Sequence, residues 1–153
     1  MIRRFCALLA CAVLLLLAAG TALAEMSAGQ TVYVPCSSHT YHGPKTRQVD
    51  LTVTLVVRNA DLRNAITLNS VDYYGTNGKL LRRYLARPTV IEPLSALEFM
   101  VEQNDTLGGA GASFLLRWKA AKAVNEPVVE AVMIGSSSGL GISFVSHGVA
   151  VQE

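Results

Sequence analysis

Apolar and polar residues alternate along most of the chain beyond residue 50. Leu51, Val53, Leu55 and Val57 fall on one parity, while Thr52, Thr54 and Arg58 fall on the other. That period of two marks a strand with one buried face. A second strand is predicted from Ile66-Thr67-Leu68 to Val71-Asp72-Tyr73-Tyr74, with a bulge at Asn69-Ser70 where the apolar phase slips. Tyr73 and Tyr74 must then point to opposite faces. Gly75-Thr76-Asn77-Gly78 reads as a tight turn, because Asn and Gly tolerate positive φ, and Lys79 to Leu85 returns as the partner strand.

Pro88 and Pro93 bracket a short piece, Thr89 to Glu92, which belongs at an edge because Pro cannot donate to a central ladder. Leu97, Phe99 and Val101 define the next inward face. After the glycine-rich stretch Asp105 to Gly111 comes a strand with Phe114, Leu116 and Trp118 on one side. Val128 to Ile134 follows Glu126-Pro127, and Ile142 to Ser146 closes the pattern. The only helical candidate is Lys119 to Val124, too short to stand alone. About eight short strands with turn chemistry between them predict an all-β protein, a single immunoglobulin-like β-sandwich. No cysteine pair flanks Trp118, which excludes the disulfide-pinned antibody arrangement.

The start of the chain follows another rule. Met1-Ile2-Arg3-Arg4 is basic, Phe5 to Ala19 is an unbroken apolar run, and Ala22-Leu23-Ala24 is a small-x-small cleavage site before Glu25. Together they predict a signal peptide over residues 1–24 and one mature domain over residues 25–153. The run is short for a bilayer span of about 20 apolar residues, so no integral membrane segment is expected after cleavage. Leu8-Leu9-Ala10-Cys11 resembles a lipoprotein box, but cleavage there would strand most of the apolar core behind the cut. Arg3-Arg4 lacks the rest of a twin-arginine motif. The expected location is periplasmic or secreted.

Processing changes the charge and the cysteine count. The whole chain holds 13 basic and 11 acidic residues, and the loss of Arg3 and Arg4 brings the two to parity. A neutral domain without Lys/Arg clusters argues against nucleic acid as a partner, since phosphate neutralisation dominates such affinity. Cys6 and Cys11 leave with the signal, so Cys36 stands alone and no intramolecular disulfide forms.

Candidate chemistry is sparse. Cys36-Ser37-Ser38-His39-Thr40-Tyr41-His42 packs a thiol and two imidazoles into seven residues, ligand types that suit zinc or copper. Residues three apart on a strand face opposite ways, so the three converge only if the segment curls. The expectation is therefore an inward Cys36 separated by strand alternation from His39 and His42, with no metal site. His39, Tyr41 and His42 remain the candidate binding residues. Gly135-Ser136-Ser137-Ser138-Gly139 matches the nucleophile-elbow pattern, but a strand rather than a helix is predicted to follow it, and a hairpin loop is expected. Asp105 to Gly111 lacks the Lys-Ser/Thr and the helix of a phosphate cradle, so its glycines are expected to serve a sharp turn. Asp72, Glu98, Glu102, Glu126 and Glu130 show no spacing that singles out an acid/base pair. The chain reads as a non-enzyme that carries no cofactor.

Several runs resemble a known family: Tyr33-Val34-Pro35, Ser38 to Gly43, Leu51 to Leu55 with Arg58-Asn59, Ser70 to Tyr74, Asn125-Glu126-Pro127, Glu130 to Gly135 and Gly141 to Phe144. They look like the bacterial exported domain-of-unknown-function family numbered 3124, over about Gln30 to Gly148. Val53 to Glu102 resembles, more loosely, immunoglobulin-like sandwiches of bacterial envelope proteins. The resemblance implies a small exported all-β domain and brings no functional residues with it. The expected function is a binding or structural module of the cell envelope, with an envelope protein as its partner. The alternative is metal or small-ligand binding through Cys36, His39 and His42.

Overall fold

A computed structural model describes residues 26–43, 46–137 and 139–152. The predicted signal, residues 1–24, lies outside them. The described residues form twelve strands and no helix. They are β1 (Met26–Pro35), β2 (His39–His42), β3 (Arg47–Asp50), β4 (Thr52–Arg58), β5 (Ile66–Tyr74) and β6 (Leu80–Arg83). Then come β7 (Thr89–Ile91), β8 (Ala96–Val101), β9 (Ser113–Asn125), β10 (Val128–Ser137), β11 (Leu140–His147) and β12 (Val149–Val151). The protein is all-β, and none of its described segments is a helix long and apolar enough to cross a membrane.

Two sheets enclose one core. The larger runs β12-β1-β9-β5-β6, with β7 also paired to β5; the smaller runs β11-β10-β4-β8. The larger sheet contributes Val32, Val34, Leu68, Val71, Phe114 and Trp118, and the smaller adds Val53, Leu55, Val57, Ala131 and Met133 to the same apolar cluster. The inner pairs β4–β8 and β5–β9 alternate between sheets as the central strand pairs of an immunoglobulin sandwich do. The flanks differ. β1 lies beside β9, where the last immunoglobulin strand would be, and β10 lies beside β4, where the first would be.

The alternation in β4 is realised residue by residue: Val53, Leu55 and Val57 are fully buried and Thr52, Thr54 and Val56 are half-buried. The predicted bulge is present, as the register of β5 against β9 shifts between Leu68 and Ser70. Tyr73 points into the core and Tyr74 outward. In the predicted turn, the Gly75 N–H donates to Lys79 O at 2.9 Å and Gly78 takes φ of 74°. β7 sits at an edge between its prolines. On β8, Val101 is buried while Phe99 is only half-buried, its ring edge-on to Tyr84 at 5.5 Å.

The helical candidate Lys119 to Val124 is corrected to strand. It prolongs β9, where Val124 and Asn125 pair with Ser27 and Met26 of β1, and Lys119 with Gly29 of β1 and Thr67 of β5. A six-residue helix cannot offset its own nucleation, whereas β1 pairs with both ends of this segment. The strand count also exceeds the expected eight. β1, β2, β3 and β12 escape the periodicity because much of their length is exposed on both sides and pairing alone defines them.

A buried polar knot joins the β4–β5 loop to β7 and β9 of the larger sheet. Asn59 Nδ2 donates to Asn64 O at 2.9 Å and Ile91 O at 3.1 Å, and Asn59 Oδ1 accepts the Asp61 N–H at 3.0 Å. The Asp61 carboxylate accepts the N–H groups of Arg63 at 2.9 Å, Asn64 at 2.8 Å and Asn125 at 3.1 Å. Led by the Arg63 N–H, these bonds outweigh burial and hold the Asp61 carboxyl at about 2, below its ordinary 3.8. A depressed folded value adds stability that is fully present above the ordinary value and is lost as pH falls through the folded one. Asp61→Asn is expected to be less stable at neutral pH and to lose less stability than the parent between about pH 4 and pH 2. Urea unfolding at several pH values measures this; parallel profiles would refute it.

Candidate functional site

The segment that holds the sequence candidates is split by the fold. Cys36 is buried in the core, its N–H donates to Ala112 O at 2.9 Å, and burial pushes its thiol up to about 12. A neutral, enclosed thiol is a poor ligand and a poor nucleophile. His39, Tyr41 and His42 lie on β2, which forms a separate hairpin with β3. His39 and Tyr41 share one face, with His39 Nε2 3.2 Å from Tyr41 Oη and the rings edge-on at 5.3 Å. His42 faces the other way, its Nε2 3.3 Å from Ser137 Oγ. No group of three His, Cys, Asp or Glu residues able to hold a metal ion occurs among the described residues. A His39→Ala/His42→Ala variant is expected to keep its fold and its metal content. Metal analysis decides: stoichiometric zinc or copper in the parent, lost in the variant, would reverse the reading.

The two loop motifs are also structural. Gly135, Ser136 and Ser137 pair with Ile142, Gly141 and Leu140, so this segment runs from strand to strand. The glycine-rich loop spends its amides internally: the Gly109 N–H donates to Ser38 Oγ and the Gly111 N–H to Thr76 Oγ1, both at 2.9 Å. No row of N–H groups is left to cradle a phosphate there.

A different surface has the geometry of a binding site: the outer face of the larger sheet. Strand register puts Val149, Tyr33, Leu115, Asp72 and Arg83 in one row across β12, β1, β9, β5 and β6. Val151, Thr31, Arg117 and Ser70 form the next row. Val149, Val151 and Tyr33 are exposed apolar groups at one end. At the other, Arg83 Nε lies 3.9 Å and Arg117 Nη1 4.0 Å from opposite oxygens of Asp72. The hydroxyl of Ser70 is covered yet has no hydrogen-bond partner.

Bulges shape this face. The β1–β9 register breaks between Ser27 and Gly29, opposite Val124 and Lys119, and the β5–β9 register between Leu68 and Ser70, opposite Trp118 and Arg117, so the two irregularities follow one another along β9. Bulges raise local twist, and between them lies a hollow of about 610 Å³ lined by Gly29, Thr31, Asn69, Arg117 and Gln152. A second hollow of about 310 Å³ follows, bordered by Tyr33, Tyr74, Ser113 and Leu115. The sequence marked the bulge at Asn69-Ser70 and required one of Tyr73 and Tyr74 to point outward. It could not bring Tyr33, Leu115 and Arg83 together, because they stand on three strands far apart in the chain.

The fold and this surface define a two-sheet β domain with a wide, open face of mixed apolar and ionic character. The chain belongs to the family described as "Protein of unknown function (DUF3124)", which matches residues 29–151. No curated protein matches it. A solved structure titled "Crystal Structure of Thermotoga maritima 1070" is similar at 7% identity and a TM-score of 0.46, over 78% of this chain and 92% of that one.

Proposed function

We propose that this is an exported, non-catalytic binding module of the cell envelope that seats a partner protein on the outer face of its larger sheet. The observation that carries the reading is the row Val149–Tyr33–Leu115–Asp72–Arg83, half apolar and half ionic, spanning five strands. An open face of this kind suits a protein surface, with an aromatic anchor at one end and charged groups at the other. Arg83 is 74% exposed and selects for an acidic group on the partner beside apolar side chains. Export rests on the basic start, the apolar run and Ala22-Leu23-Ala24.

The full chain, exported with a photo-crosslinking residue in place of Tyr33, tests both halves. N-terminal sequencing should show the protein beginning at Glu25. Crosslinking should capture one discrete envelope protein, and Leu115→Glu should abolish capture without loss of fold. Retention of the uncut chain would overturn export. Capture unaffected by Leu115→Glu, or no capture, would overturn this face as the binding surface.

A further inference from the structure

We infer that the hollow bordered by Tyr33 and Tyr74 grips a proline-rich segment of the partner, in the extended polyproline conformation. The inference rests on the binding face proposed above and adds the chemistry of what that face holds.

The floor of the hollow is β9. Ser113 pairs with Pro35 of β1 and Tyr74 of β5, and Leu115 pairs with Tyr33 and Asp72, so the strand has neighbours on both sides. A ligand lying here meets no free backbone edge and cannot dock as an added strand. It must be held by side chains alone. A polyproline helix suits that restriction, because it has no hydrogen-bond ladder to complete.

The side chains have the matching shape. Tyr33 is 40% exposed and Tyr74 half-buried, and they rise on opposite sides of β9, two residues out of line. Strand geometry puts them about 10 Å apart across the sheet and about 7 Å apart along it. The diagonal, about 12 Å, is the length of about four residues of polyproline helix at about 3.1 Å each. Leu115 lies beside Tyr33 as an apolar base, and Gly75, Gly78 and Gly111 place no side chain on the rim, which leaves about 310 Å³ open.

The polar groups narrow the ligand further. The hydroxyls of Tyr33 and Tyr74 have no hydrogen-bond partner among the described residues, while that of Thr76 already donates to Gly108 O. No carboxylate or carboxamide, the side chains that usually hold sugar hydroxyls or peptide N–H groups, lines the hollow. A secondary amide pressed between the two rings would bring an N–H with no fixed acceptor. The tertiary amide of proline brings a carbonyl for the tyrosine hydroxyls and no N–H, and its ring packs on an aromatic face.

Titration of the isotope-labelled exported chain with deca-proline, followed by amide NMR, tests this. Tyr33, Tyr74, Gly75, Gly111 and Leu115 should shift together and saturate with a Kd below about 1 mM. A Gly-Ser peptide of equal length should shift none of them. A Tyr33→Phe/Tyr74→Phe variant keeps both rings and loses both hydroxyls. It should bind deca-proline about fivefold more weakly or worse, with melting unchanged. Val149 shares the row of Tyr33 but does not line the hollow, so a photo-crosslinking residue in its place should capture the envelope partner, and excess deca-proline should suppress that capture. Capture that deca-proline leaves intact would overturn the inference while the binding face stands. Absence of saturable shifts at about 5 mM deca-proline, shifts confined to another part of the chain, or a double Tyr→Phe variant that binds like the parent would overturn it as well.

Discussion

Trp118→Ala should unfold the domain or leave it barely stable. Trp118 is 2% exposed at the centre of β9, paired across to Gln30 of β1 and Leu68 of β5. It shares the inward face of that strand with Phe114 and Leu116, which are fully buried. Truncating a buried aromatic costs about 3–5 kcal/mol, through lost apolar contact and the cavity left behind, out of a typical total of about 5–15 kcal/mol. The indole N–H is buried without a hydrogen-bond partner, so Trp118→Phe forfeits no bond and should cost much less. Thermal and urea unfolding of both variants give the comparison. A melting point near that of the parent for Trp118→Ala would show that the centre of the larger sheet tolerates a cavity, against everything its packing implies.

Gly108→Ala should destabilise the protein, and Tyr73→Phe should recover part of the loss. The loop Asp105 to Gly111 seals one end of the sandwich between two other segments: the Ser38 N–H donates to Gly109 O at 3.0 Å and the Thr76 N–H to Gly108 O at 2.9 Å. A Cβ on Gly108 would sit 1.9 Å from Tyr73 Oη, 2.7 Å from Tyr73 Cζ and 2.9 Å from Ala112 Cβ. Tyr73 has nowhere to retreat, being buried and stacked against Phe114 at 5.0 Å between ring centres. Overpacking of this kind costs about 1–3 kcal/mol, and more where the neighbour is locked. The Tyr73 hydroxyl has no partner in hydrogen-bonding geometry, the Ser38 hydroxyl beside it being turned to Gly109. Burial above all, and then the nearby Cys36, push its phenol up, so it stays neutral. Tyr73→Phe alone should therefore be neutral or stabilising, and the double variant should regain only part of the loss, because the ring carbon at 2.7 Å and Ala112 Cβ at 2.9 Å still oppose the added methyl. Urea midpoints of the three variants form the cycle. Equal loss in the single Gly108 variant and the double variant would mean that the hydroxyl is not the source of the strain, which then lies against the Tyr73 ring and Ala112.

The strands that were legible in the sequence are those with one buried face. β4, β5 and the first half of β9 show strict alternation because each packs one side on the core, and the bulge at Asn69-Ser70 shows as a phase slip for the same reason. β12 and the start of β1 have little buried on either side, so nothing in their residue types distinguishes them from loop. Lys119 to Val124 misleads in the other direction. Its alanines and lysines suit a helix locally, but the ladder offered by β1 and β5 is decided elsewhere in the chain.

The candidate residues divide in the same way. Strand alternation alone predicts that Cys36, His39 and His42 do not share a face, and the structure separates them. The row from Val149 to Arg83 has no counterpart in any short stretch of sequence, because its members are brought together by the order of five strands.

What the sequence by itself determined is local and periodic: an all-β chain, its half-buried strands, its tight turns and a family membership carried by scattered short runs. Those features depend on residues within a few positions of one another, or on solvent that each face meets alone. Only the tertiary structure decided that β1 takes the place beside β9 and β10 the place beside β4, and that a hollow opens on the outer face where β1 and β5 flank β9. These are properties of strand order, and strand order is set by which backbone edges and apolar faces satisfy one another across the whole domain, a competition that no local pattern records.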